Sequence, residues 1–148
     1  MSNNGFVFQD LNITSNDKLY RAHPFQDAFP RNRLLVWLTY WCDAQRHGPN
    51  AKAWRRTNMA FHLLAAGLVA ILSLPAAVLF AVHPLAAMGH RYVAGRSGVM
   101  SALFQLAIVL LTLYGFWWIA VLLAIMAIRW VKEDSVIWLP MIFLLAVL

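Results

Sequence analysis

Histidine is the residue type here that is best suited to bind a metal or cofactor, and the 148 residues include five histidines. A zinc or iron site needs several ligands held together. His83 and His90 would share one side of a membrane, opposite His62, and residues 83–100 contain no carboxylate or cysteine. The single cysteine, Cys42, allows neither an intramolecular disulfide nor a cysteine-based metal site. We therefore expect no metal and no cofactor, with haem ligation by His62 or His83 as the alternative.

Motifs for enzymatic chemistry are also missing from the sequence. It contains no nucleophile elbow, zinc-protease helix, phosphate-binding loop or dinucleotide fingerprint. Ion or proton transport needs ionisable side chains inside the membrane, yet runs 59–82 and 101–128 contain no Asp, Glu, Lys or Arg. His62 lies near one end of its run and is expected at an interface. The sequence predicts neither an enzyme nor a self-contained transporter.

The overall composition is typical of a protein in contact with lipid. Hydrophobic residues make up 61% of the chain and charged residues only 12%, about half the share of a typical soluble domain. So few charges cannot cover the surface of a compact chain of this length in water. The composition excludes disorder and favours an all-α integral membrane protein.

Two uncharged runs are long enough to cross a bilayer. Run 59–82 would measure roughly 36 Å as a helix, against a hydrocarbon core of roughly 30 Å. Run 101–128 is longer still. We expect a two-span helical hairpin, with Pro75 kinking the first span and residues 83–100 as the connecting loop. The transmembrane region would then cover 59–148.

Two shorter segments flank this region. In 33–46, apolar residues recur with helical spacing, but the apolar run is too short to cross a bilayer. This pattern predicts an interfacial amphipathic helix, which a basic linker to residue 58 follows. A short core helix is the alternative. Residues 1–32 read as an extended cytoplasmic arm. The apolar tail 136–148 is a half-span, an interfacial helix or a truncated third span.

Basic residues before the first span favour a cytoplasmic N-terminus in a bacterial inner membrane, with a multi-pass topology and an exported 83–100 loop. Such bases bind anionic lipid headgroups, and we expect no nucleic acid partner. Aromatic and basic side chains are expected together at the membrane interface. The candidates are Trp37, Trp41, Arg55, Arg56, Arg129, Trp130 and Lys132.

Small and polar residues form two stripes at helical spacing, which predicts helix-packing seams. The first stripe is Ala66, Ala70, Ser73 and Ala77, and the second is Ser101, Gln105, Ile108, Thr112 and Gly115. The Gln105 amide would form hydrogen bonds between helices. A mid-span aromatic cluster is either a lipid contact or a docking surface for a membrane partner. It consists of Tyr114, Phe116, Trp117 and Trp118.

These features favour a small, non-enzymatic inner-membrane subunit that scaffolds or assembles a larger complex with other integral membrane subunits. A secretion or conjugation machine is the preferred type of complex. One alternative is a holin-like pore-forming protein. The other is an accessory subunit of a respiratory or other redox membrane complex.

Overall fold

The computed structural model describes residues 13, 17–20, 33–84 and 91–132, and every regular element among them is helical. The all-α class predicted from the sequence is thereby confirmed. The tail 136–148, His23, His90 and most of the 1–32 arm lie outside the described residues. In chain order the elements are a 3-10 turn (Asp17–Tyr20), α1 (Leu34–His47), α2 (Ala51–Leu72), α3 (Leu74–Val82), a second 3-10 turn (Val93–Gly95), α4 (Arg96–Leu113) and α5 (Trp117–Trp130).

A tight turn separates α1 from α2. Gly48 ends α1 with a positive φ of 55°, and its N–H donates to the Ala44 carbonyl at 2.9 Å. Asn50 then caps α2, since its side-chain oxygen accepts the N–H groups of Lys52 and Ala53 at 3.1 and 3.3 Å. Such caps satisfy N–H groups that lack partners within the helix. The Trp54 indole closes the turn by donating to the Gly48 carbonyl at 2.9 Å.

Run 59–82 is two helices, where the sequence suggests one kinked span. Ser73 is extended, ends α2 and caps α3, and its hydroxyl accepts the Ala76 N–H. Pro75 lies in the first turn of α3, where a missing N–H costs no helical hydrogen bond. The His62 ring stacks 5.2 Å from that of Phe80, and its Nε2 lies 3.2 Å from the Ala81 carbonyl. α2 and α3 therefore fold back on each other as an antiparallel hairpin.

Run 101–128 is likewise interrupted. Gly115 adopts a φ of 81°, and the Phe116 N–H donates to the Leu111 carbonyl at 2.8 Å. Ile108 of α4 shares a fully buried cluster with three alanines of α5, Ala120, Ala124 and Ala127. Alanine allows two helices to approach closely. α4 and α5 thus form a second antiparallel hairpin.

Both hairpins leave from one end of the structure, here called the polar base and defined as residues 33–58, 91–96 and 129–132. Tyr40, Trp54, Val93 and Val131 belong to a single buried cluster there. The Asn58 amide also donates to the Tyr92 carbonyl at 2.8 Å. Residues on either side of run 59–82 therefore touch, although a two-span hairpin would hold them roughly 30 Å apart, across the bilayer.

Among the described residues, one helical stretch is long and apolar enough to cross a membrane by length and composition. It is Val93–Leu113, with 21 residues. α5 is also apolar but shorter. These two facts alone are a weak indication of membrane association.

Replacing Gly115 tests the second turn. Gly115→Ala should lower the free energy of unfolding by about 1–2 kcal/mol, because a Cβ disfavours the positive φ. Gly67→Ala is the matched control: Gly67 lies within α2 and has open space around it. It should raise stability by about 0.5–1 kcal/mol. Thermal unfolding in mild detergent measures both variants, and equal effects would contradict the turn.

Candidate functional site: a buried arginine network

Arg96, the first residue of α4, is fully buried at the centre of the polar base. Its Nη2 donates to the Asp43 carboxylate at 2.5 Å and to the Trp54 carbonyl at 3.1 Å. Its Nε donates to the Asn58 side-chain oxygen at 2.6 Å, and its Nη1 donates to the Thr39 hydroxyl at 3.3 Å. A planar guanidinium with several fixed donors suits this arrangement. One side chain thus joins α4 to both α1 and α2.

Two aromatic rings enclose the same guanidinium. The Arg96 Cζ lies 4.4 Å from the centre of the Tyr40 ring and 5.9 Å from that of Trp54. Tyr40 and Trp54 stack on each other at 5.9 Å. A cation over an aromatic face is attracted more strongly when water is excluded. The Tyr40 hydroxyl also donates to the Val93 carbonyl at 2.8 Å, which anchors the turn before α4.

The partners of Arg96 have hydrogen bonds of their own. The second Asp43 oxygen accepts from the Thr57 hydroxyl at 2.9 Å, and the Asn58 amide donates to the Tyr92 carbonyl. A buried charge is tolerated only when it is paired and hydrogen-bonded in this way. Both Asp43 oxygens are therefore occupied, so this carboxylate is held as a structural counter-ion.

A cavity of about 510 Å³ lies beside the network, between α1, α2 and α4. Apolar side chains form most of its wall, and Asp43, Thr39 and Thr57 line it with polar groups. The remaining residues that line the cavity are Leu35, Leu38, Cys42, Arg46, His47, Phe61, Met100 and Phe104.

Among the described residues, no cluster of three His, Cys, Asp or Glu side chains could hold a metal ion.

The first predicted seam is divided between two helices. Ala66 on α2 and Ala77 on α3 are buried, and Ala70 is half-buried. Ser73 is exposed at the turn between the helices. These small residues therefore do not share one face of a continuous helix, because the chain reverses at Ser73.

The second predicted seam lies along α4 and ends at the Gly115 turn. Ser101, Ile108 and Thr112 are buried, whereas Gln105 is half-buried. The Gln105 amide donates to the Ser101 hydroxyl at 3.1 Å, and the Thr112 hydroxyl donates to the Ile108 carbonyl at 2.8 Å. Both hydrogen bonds lie within α4. The sequence instead predicts that the Gln105 amide bridges two helices.

The predicted interface residues all fall on the polar base. Trp37 and Trp41 are half-buried and pack against its core. Arg56 and Arg129 are exposed, while Arg55, Trp130 and Lys132 are half-buried. By contrast, the predicted docking cluster lies at the turn of the second hairpin and is exposed. Its members are Tyr114, Phe116, Trp117 and Trp118.

Sequence reasoning missed Arg96, which it counted as one base of an exported loop. The available signal was Asp43, an acid beside an aromatic-rich helical run that needs a cationic partner if it is buried. The contact between Asn58 and Arg96 joins residues 38 positions apart in the chain, so no local pattern indicates it. No protein family, curated protein or solved structure matches this chain in the comparisons.

Removing the guanidinium tests the network. Arg96→Met should lower the free energy of unfolding by about 3–5 kcal/mol, because the Asp43 carboxylate stays buried without its counter-ion. Arg91→Met is the control at an exposed arginine of the polar base, and it should change the free energy of unfolding by less than about 0.5 kcal/mol. Unfolding in mild detergent measures both.

A double variant separates charge pairing from packing. Combining Asp43→Asn with Arg96→Met should cost less than the sum of the single changes, by about 0.5–3 kcal/mol, since the unpaired charge is gone. Strict additivity would show that the ion pair does not stabilise the base.

Proposed function

We propose that this chain is a non-enzymatic, membrane-inserted subunit that assembles with other integral membrane proteins into a larger complex. The supporting observation is the position of its exposed large apolar side chains. Among the described residues, all of them except Tyr20 and Tyr92 lie in 59–82 or 113–126, on the two hairpins. So many exposed large apolar side chains are unfavourable in water and are typical of a membrane or protein contact.

Charge is separated from these surfaces. Within 33–84 and 91–132, every Asp, Lys and Arg lies in the polar base, and the hairpins contain none. The base has nine Lys and Arg residues against one acid, Asp43. Five of these bases are exposed and suit anionic headgroups, namely Arg46, Lys52, Arg56, Arg91 and Arg129. We place the base at the cytoplasmic face of a bacterial inner membrane, because basic segments are retained on that side.

The aromatic turn of the second hairpin supports a protein partner. Trp118 is 68% exposed, and Tyr114 and Phe116 are also exposed. Large rigid aromatic side chains provide much of the binding energy at protein interfaces. We propose that this turn docks on transmembrane helices of the partner subunit. A secretion or conjugation machine remains the type of complex that we favour.

The redox alternative has less support. The candidate haem ligand His62 is buried, stacks on Phe80 and has its Nε2 beside the Ala81 carbonyl, so it holds the first hairpin together. The holin-like alternative would place the same exposed apolar faces against further copies of this chain. Expression alone would then depolarise membranes.

Purification from membranes in mild detergent tests the proposal. We expect at least one integral membrane protein to co-purify in stoichiometric amount. Trp118→Ala should weaken its recovery about tenfold or more, because truncation of a buried aromatic anchor has a large effect on binding. Leu79→Ala is the control, since Leu79 is equally exposed, at 67%, but lies on the first hairpin.

Three results would contradict the proposal. A monomer without a partner would exclude an assembly subunit, and a homo-oligomer that depolarises membranes would support the holin-like class. A haem absorbance band in the purified protein would support the redox class.

A further inference from the structure

We infer that the described part of the chain enters the bilayer from one side only, with the turns at Ser73 and Gly115 among the lipid acyl chains. This inference rests on the proposed membrane location. It replaces the multi-pass topology expected from the sequence with two hairpins that insert and return. The surface it assigns covers both hairpins apart from the aromatic face of the Gly115 turn, which docks on the partner subunit, and the surroundings it assigns are the hydrocarbon region of the membrane.

The first support is that both ends of each hairpin lie at the polar base. The hydrogen bond from Asn58 to Tyr92 brings together the two ends of the first hairpin. The second hairpin begins at Arg96, which contacts Asp43, and ends at Val131, which is buried in the same cluster as Val93. A segment whose two ends touch does not cross a bilayer an odd number of times.

The second support is length. The parts of α2 and α5 beyond the base have 14 and 12 residues, or roughly 21 and 18 Å. Val93–Leu113 is long enough to span only if residues 93–96 are counted, and Val93 and Arg96 are fully buried in the base. The remaining 17 residues measure roughly 25 Å. Each of these three helices therefore passes the midplane of a roughly 30 Å core and ends before the far interface.

The third support is the chemistry of the turns. A turn that emerges into water on the far side normally carries polar or charged residues, but these two are flanked by Leu72, Leu74, Leu113 and Phe116. Four backbone donors at these turns are also satisfied within the chain. The N–H groups of residues 73, 114, 115 and 116 all donate to helix carbonyls, at 2.8–3.1 Å. Satisfied donors are what the hydrocarbon region requires, since it offers no water as an acceptor.

The fourth support is the polar base itself. Trp37 and Trp41 of α1 are half-buried against the core of the polar base, and tryptophan side chains favour the membrane surface. Exposed bases such as Lys52, Arg56 and Arg91 surround the same end. A single charged end opposite two uncharged turns matches one headgroup layer.

Thiol labelling in intact cells and in inverted membrane vesicles tests this inference. In a Cys42→Ser background, the single-cysteine variants Lys52→Cys and Arg91→Cys report on the base, and Leu74→Cys and Tyr114→Cys report on the turns. All four positions are exposed in the structure. A membrane-impermeant maleimide should label positions 52 and 91 from the same side. Positions 74 and 114 should react at least tenfold less until the membrane is dissolved in denaturing detergent.

Each other outcome overturns the inference. Labelling of positions 52 and 91 from opposite sides would restore a two-span topology, while leaving the proposed assembly role intact. Labelling of position 74 or 114 from the far side would show that a turn crosses the bilayer. Equal labelling of all four positions in intact vesicles, with release of the protein by alkaline carbonate, would remove the membrane location and with it the proposed function.

Discussion

The burial of the Arg96 charge is the constraint on which the rest of the structure depends. An unpaired guanidinium in a dry core is unfavourable by several kcal/mol, so its partners must converge on it. Asp43 comes from α1, and Asn58 and the Trp54 carbonyl come from α2. This convergence fixes where α4 begins, next to the start of the first hairpin.

Two short breaks convert long apolar runs into hairpins. At Ser73 an extended residue is followed by a proline in the first turn of the next helix, and at Gly115 a positive φ reverses the chain. The helices can then pack closely because alanines occupy the contact, as they do along α5 opposite Ile108. The described structure therefore has a charged end and an uncharged end, and our proposal of membrane insertion rests on this separation of charge.

Part of this architecture follows from the sequence. The helical class, the helix predicted in 33–46, and the separation of charge from the apolar runs are all visible in composition and periodicity. The hairpins are not, because an apolar run of 24 residues has the same composition whether it crosses a bilayer or folds back. The sequence predicts a kink at Pro75, but the effect of a proline depends on whether it lies inside a helix or in its first turn.

The arginine network was beyond sequence reasoning for a different reason. Its contacts join residues 38 to 57 positions apart, and no local pattern encodes such pairing. The excess of bases outside residues 83–100 predicts an exported loop, whereas the contact of Arg96 with Asp43 brings the end of that segment to the polar base. In the topology that we propose, this long-range ion pair therefore outweighs the number of bases.

The distance between spin labels at positions 56 and 91 tests the central claim most directly. Both positions are exposed in the polar base, and they flank the first hairpin. The sample is the Cys42→Ser, Arg56→Cys, Arg91→Cys variant, spin-labelled at positions 56 and 91 and reconstituted in lipid vesicles. Pulsed electron paramagnetic resonance should give a distance between the two labels below about 25 Å, because residues 58 and 92 are in contact. A distribution centred at roughly 30 Å or more, the thickness of the hydrocarbon core, would contradict the shared base.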